Sequence, residues 1–194
     1  MQTELLIQAI TNKVVLSDED IKLIESVCHH KKIRKKHFVF EEGEIMRDMI
    51  FVTDGCLRSY SVDKNGFEHV LQFAPPGWWI GDMYSALKQT PGILNIDAIY
   101  DSEILTIRLA DMEELYKKIP ALERFFRMLA EGALATSQRR LIDGLSLTAV
   151  ERYNNFCSSY PMLITCLPQK QVASYIGVTP EFLSKMLNSP MPKK

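Results

Sequence analysis

The residues best suited to chemistry lie near the end of the chain. Glu181, Ser184, Lys185 and Asn188 recur at three- and four-residue spacing, which places them on one side of a helix. Their groups are those that meet nucleic acid. A carboxylate accepts from a cytosine amino group and an ammonium donates to guanine, while a hydroxyl and an amide suit bases or phosphates. Gln169, Lys170 and Thr179, just upstream, are candidates for clamping phosphates. Gly177 sits between these groups, Ala173 stands four residues before it, and Val172, Ile176, Val178, Leu183 and Met186 supply apolar positions. A helix-turn-helix needs a small residue midway along its first helix, a Gly at the tight corner and apolar residues bracketing both. Thr179 is placed to cap the second helix and Pro180 to be its first residue. The alternative is a plain helical hairpin in a small core. From Leu167 onward four lysines (Lys170, Lys185, Lys193, Lys194) stand against one acid, Glu181, an excess that suits a phosphate-facing surface.

Other chemistries are poorly served. Cys28, Cys56, Cys157 and Cys166 form no CxxC pair, so the chain reads as reduced and cytoplasmic. Cys28, His29 and His30 are adjacent, and adjacent helical side chains point apart. They read as a helix end running into the basic stretch Lys31-Lys32-Ile33-Arg34-Lys35-Lys36, a solvated segment. There is no His-x-His, and only His69 sits within a strand pattern, so neither a metal site nor a jelly-roll metalloenzyme is expected. Neither a Gly-x-Ser-x-Gly elbow nor a P-loop occurs, and the expectation is no enzyme. The 194 residues carry 23 Lys and Arg against 24 Asp and Glu, and 46% are hydrophobic. That balance excludes a basic nucleic-acid-coating protein and an acidic disordered tail, but leaves room for a locally basic face. The uncharged run over residues 154–169 contains two prolines and is no membrane span. Met1-Gln2-Thr3-Glu4 lacks the basic start of a secretory signal.

Three zones position these residues. Residues 1–36 are helical in flavour, with Ser17 capping a segment that carries Ile21, Ile24 and Val27. Residues 36–108 show short β-rich runs broken by turn signals, and Asn65-Gly66 predicts a type I′ hairpin. After residue 108 helices return: a short one over 110–119, then a long one from Pro120 to Asp143, stopped by Gly144. Phe126, Leu129 and Ala133 are its candidate dimer contacts, and Gly132 suits close approach of two backbones. The predicted fold is α+β: an N-terminal antiparallel β-roll (jelly-roll) with flanking helices, a long dimerisation helix and a small C-terminal helix-turn-helix domain. The domains fall at 1–119, 120–145 and 146–194.

That order of parts resembles the Crp/Fnr family of bacterial transcription regulators. The likeness is carried by Phe51-Val52-Thr53-Asp54-Gly55-Cys56-Leu57-Arg58, by Pro75-Pro76-Gly77-Trp78-Trp79-Ile80-Gly81-Asp82 and by residues 172–187. It implies a cytoplasmic homodimer bound to a two-fold symmetric operator in double-stranded DNA, with RNA polymerase as a partner. Cyclic-nucleotide binders of the family carry Gly-Glu opening a short helix and, later, Arg-Ser/Thr-Ala. Here Gly81-Asp82 and Ile96-Asp97-Ala98 stand in those places, so the resemblance makes Gly81, Asp82, Asp97 and Ala98 a degenerate ligand pocket. The phosphate's cation is replaced by Ile96, and Asp97 beside it is expected to repel a ligand phosphate, so no cyclic nucleotide cofactor is expected. The redox branch's iron–sulfur cluster is likewise not expected, because Cys28 is the only cysteine before residue 56. Where the family's recognition helix carries Arg, Glu and a second Arg, this chain has Pro180, Glu181 and Lys185. Only residues 188–194 remain for the trailing wing, which is expected to be shortened. Pro180 and that tail also suit a second reading, a regulator-like protein-interaction module that has lost DNA binding.

Overall fold

The computed structural model describes residues 3–165 and 167–188. The chain forms two compact units, Met1–Ser61 with Leu71–Gly132, and Val62–Val70 with Ala133–Lys194. Helices α1 (Glu4–Thr11) and α2 (Asp18–Ser26) open the first unit. At the start of α2, Ser17 Oγ accepts from the Asp20 N–H (3.1 Å) and Asp20 Oδ2 accepts from the Ser17 N–H (2.9 Å). This reciprocal cap satisfies two amide donors at once.

The strands that follow are β1 (His29–Ile33), β2 (Phe38–Phe40), β3 (Asp48–Asp54), β4 (Leu57–Val62), β5 (Glu68–Ala74), β6 (Trp79–Ile80), β7 (Asn95–Ala98) and β8 (Ser102–Arg108). They form two four-stranded sheets, ordered β1-β8-β3-β6 and β2-β7-β4-β5, and the paired strands run antiparallel. Alternation along β3 divides the core. Ile50 and Val52 join Leu57, Ile96 and Ile104 between the sheets, while Phe51 faces a second cluster. That second cluster takes Leu6, Ile10 and Ile24 from the first helices and Met112 and Leu115 from α4 (Leu109–Lys118). Leu122 and Phe125 complete it from the start of α5 (Pro120–Ser146).

Four features differ from the sequence expectation. The basic stretch after Cys28 is not simply a solvated segment, because His29–Ile33 is an edge strand paired to β8. Lysines suit an edge, where they deter pairing with another chain, and Lys32 and His30 both meet Glu103 across the pair (2.7 and 2.8 Å). Secondly, the periodicity of residues 36–108 gives strands and turns alone, whereas the roll contains a helix, α3 (Met83–Lys88), started by the Asp82 carboxylate at the place where the resemblance implies a short helix. Thirdly, the hairpin at Asn65-Gly66 is not type I′, since of its residues only Gly66 has positive φ (82°). Asp63 Oδ1 accepts from the Asn65 and Phe67 N–H groups (2.8 and 3.1 Å), and this side-chain turn dictates the geometry instead. Lastly, α5 runs through Gly144 to Ser146.

In the second unit, α5 gives way to α6 (Ala149–Ser159), where Thr148 and Glu151 form another reciprocal cap. Helices α7 (Gln169–Ile176) and α8 (Pro180–Asn188) follow. The division between units falls inside α5, at 132/133, rather than at its ends, and residues 62–70 of the β4–β5 hairpin group with the C-terminal helices. Ser174 on α7 accounts for that grouping. Its Oγ donates to the Glu68 carbonyl (2.6 Å) and accepts from the Val70 N–H (2.9 Å), satisfying the backbone of an edge strand.

Candidate nucleic-acid interface

The corner between α7 and α8 is built from local signals. Gly177 ends α7 with φ 74° and ψ 43°, a conformation that costs a residue with a Cβ but not Gly. The Val178 N–H then returns to the Ala173 carbonyl (3.0 Å). Thr179 Oγ1 accepts from the Phe182 N–H (3.2 Å), capping α8, whose first residue is Pro180. Val172, Ala173, Ile176 and Leu183 are buried and fix the two helices against each other.

At about 100° per residue, Glu181, Ser184, Lys185 and Asn188 fall within one third of the helix circumference, opposite Leu183 and Met186. Glu181, Lys185 and Asn188 are exposed and Ser184 is half-buried. The face thus offers an acceptor carboxylate, a cation, a hydroxyl and an amide on a rigid helix. Phe182, missed by the sequence reading, is also exposed on the flank of this face. Its signal was available, since no apolar position of the α7–α8 core requires a residue one step before Leu183. An exposed ring there suits the methyl group of thymine.

Exposed Gln169 and Lys170 form the first turn of α7, which begins after Pro168 with no side-chain cap. Amide donors at such a terminus, together with a lysine, suit a phosphate. Thr179, also exposed, uses one oxygen lone pair on the cap and retains its hydroxyl hydrogen as a donor. These three groups and the α8 face therefore belong to one helix-turn-helix. The trailing wing falls at residues 189–194, outside the described residues.

The roll presents a different picture. Asp82 is buried, its Oδ1 accepting from the Ser85 N–H (2.9 Å) and its Oδ2 from the Ile93 and Leu94 N–H groups (3.0 and 3.2 Å). These amides hold the chain's own anion. Gly92 packs against the same carboxylate, and a Cβ there would lie 2.9 Å from Asp82 Oδ2 and 2.7 Å from the Phe40 ring. Asp97 corrects the sequence reading. Ile96 and Ala98 join the cluster between the sheets, so Asp97 projects from the opposite face of β7. It does not face a ligand as a bare charge, because Arg58, directly across on β4, holds it through Nε (2.7 Å) and Nη2 (2.8 Å). Gly81 is half-buried and precedes the α3 cap.

On α5, Phe126 packs edge-on against Trp79 (ring centroids 4.9 Å) and Leu129 packs on the first unit's own core. Ala133 is exposed. Leu134, Leu141 and Leu145 are exposed as well. Among the described residues, no group of three His, Cys, Asp or Glu side chains could hold a metal ion, and no helix is long and apolar enough to cross a membrane. Cys28 donates to the Ile24 carbonyl, and burial, assisted by Glu25, pushes its thiol up to about 11.

Comparison with known proteins agrees with this architecture. Residues 30–119 match the Cyclic nucleotide-binding domain family. The regulatory protein HlyX of Actinobacillus pleuropneumoniae is 20% identical over 184 residues, covering 89% of this chain and 76% of that protein. FixK2 from Bradyrhizobium japonicum shares the fold with a TM-score of 0.69 at 20% identity, covering 83% of each chain. The Catabolite Activator Protein of Thermus thermophilus does so with a TM-score of 0.61 at 21% identity, over 92% of this chain and 84% of that one.

Proposed function

We propose that this chain, which belongs to the Crp/Fnr family of transcription regulators, acts as a cytoplasmic homodimer on a two-fold symmetric operator and does so without cyclic AMP. The observation that carries the reading is the α8 face of exposed Glu181, Lys185 and Asn188 with half-buried Ser184, backed by buried Leu183 and aimed by the Gly177 corner. Glu181 takes a cytosine amino group and Lys185 a guanine, while Gln169, Lys170 and Thr179 hold phosphates. The exposed leucines of α5 support pairing with a second copy, and RNA polymerase is the partner that the family suggests. The family's relatives are regulators rather than enzymes, and this reading gives the chain no reaction of its own.

Independence from cyclic AMP rests on the roll. Ile96 faces inward where a phosphate-binding Arg would be needed, and the amides around Asp82 already hold a carboxylate. Selection from a random duplex pool, with and without cyclic AMP at one stated salt concentration, tests both parts. The expected result is a two-fold symmetric site enriched in both arms, with half-site centres about 34–36 Å apart. Enrichment only with cyclic AMP would overturn the ligand reading. No enrichment in either arm would favour a protein-interaction module.

A further inference from the structure

The second unit holds a cavity of about 560 Å³ that the DNA-reading face does not use. Its walls come from the C-terminal part of α5, from α6 and from the end of α7 with Gly177. One wall is cationic. The Arg140 guanidinium lies 3.8 Å from the Tyr175 ring centroid and donates to the Tyr175 carbonyl (3.2 Å). Arg152 donates through Nε to the Ile176 carbonyl (2.8 Å) and through Nη1 to the Leu147 carbonyl (2.7 Å). Those bonds fix two guanidinium groups in place on neutral acceptors. Arg139, the third, is exposed and has no hydrogen bond or ion pair among the described residues. The single carboxylate in the lining, Asp143, accepts from Asn155 Nδ2 (3.1 Å). Three guanidinium groups against one carboxylate leave the lining with a net charge of +2.

The other wall is aromatic. Phe156 meets Tyr160 and Tyr175 with ring centroids 5.3 and 5.1 Å apart. The volume lies within the ~300–1,000 Å³ typical of small-molecule sites. Guanidinium groups match phosphate oxygens bidentately, and aromatic walls take planar bodies. We propose that this cavity binds a phosphate ester with a planar base, of the nucleoside monophosphate class, with Arg139 donating to the phosphate. The site lies outside the roll and goes beyond the DNA-reading function. Its ligand touches the end of α7 and Gly177, the corner that aims α8, and so acts on the reading helix directly. Pairing of α5 with a second copy leaves the cavity open. At about 100° per residue, Leu134, Leu141 and Leu145 project from the face opposite Thr136, Arg140 and Asp143.

The test is calorimetric titration of the full chain, without DNA, using AMP and GMP. Pyrophosphate serves as the probe without a base and adenosine as the probe without a phosphate. One of the two nucleotides should bind, pyrophosphate should bind more weakly, and adenosine should not bind. Arg139→Gln should weaken the nucleotide at least about tenfold and Arg139→Glu further. Both variants should keep the parent circular dichroism and melting temperature, because Arg139 is exposed. Failure of both nucleotides to bind would overturn the proposal, as would binding unchanged by both Arg139 variants, which would place the nucleotide elsewhere. Loss of DNA affinity in Arg139→Gln without any nucleotide binding would also overturn it, making Arg139 a DNA-backbone contact. Since the titration contains no DNA, its failure leaves the operator-binding result untouched.

Discussion

Arg58 and Asp97 face one another across β4 and β7, both buried, joined by two short hydrogen bonds. The Arg58 guanidinium also lies 4.1 Å from the Tyr60 ring centroid, so one of its faces is covered as well. A buried pair of this kind adds little net stability, but removing one member strands the other charge. Arg58→Met should therefore cost about 3–5 kcal/mol in urea unfolding, whereas Arg58→Met with Asp97→Leu should recover most of it. A single variant as stable as the parent would mean that Asp97 reaches water by itself. Cys28 gives a second residue-scale test. With its thiol pushed up to about 11, the reactive thiolate is scarce at pH 8, about one molecule in a thousand. Iodoacetamide at pH 8 should label Cys28 slowly in the folded protein and quickly after denaturation. Equal rates would refute the burial of that thiol. On α8, Lys185→Ala should weaken specific operator binding by ~1–3 kcal/mol and leave non-specific DNA binding nearly unchanged.

Helix α8 depends on one backbone angle and one hydroxyl. A Cβ added at Gly177 meets nothing within 4 Å, so Gly177→Ala loses only what φ 74° imposes, about 1–2 kcal/mol. Thr179→Ala removes the cap bond to the Phe182 N–H and should cost about 1 kcal/mol. Thermal melts read both losses, and operator titrations should show weaker binding because α8 is less well aimed. A Gly177→Ala variant with unchanged stability would mean that the corner can relax out of the left-handed region. The same locality explains why this element was legible in the sequence: small residue, corner, cap and apolar period lie within twenty residues. The roll was legible as alternating runs and turns, but not in three places where long-range partners decide. The strand His29–Ile33 carries two lysines and is held by β8, whose partner residues lie 69 to 77 positions away. Helix α3 has only six residues and takes its start from Asp82, whose other oxygen reaches the amides of Ile93 and Leu94. The Asp63 turn wins over the Asn-Gly signal because its carboxylate takes two amide donors. Asp97, expected beside a ligand phosphate, lies outward instead, because Ile96 and Ala98 on either side of it are packed between the sheets.

The homodimer we propose would rest on α5, a helix of 27 residues and roughly 40 Å at ~1.5 Å rise per residue. Its first half is engaged by its own unit: Leu122 and Phe125 are buried, and Phe126 and Leu129 pack against the same core. Its second half exposes Leu134, Leu141 and Leu145 at 61%, 66% and 80%. Spacings of seven and four residues align these three on one narrow stripe, the form of a two-helix seam. Large apolar side chains so exposed gain most by meeting their equals on a second copy. Leu141→Lys should therefore shift sedimentation equilibrium toward monomer, with circular dichroism showing the helix content retained. Operator affinity should fall with it, because a monomer reads one half-site where the dimer reads two, while non-specific DNA binding is kept. If Leu141→Lys remained a dimer with full operator affinity, the seam would have to lie on another face of α5. The first half offers little apolar surface for that role, since Phe126 and Leu129 already pack within their own unit.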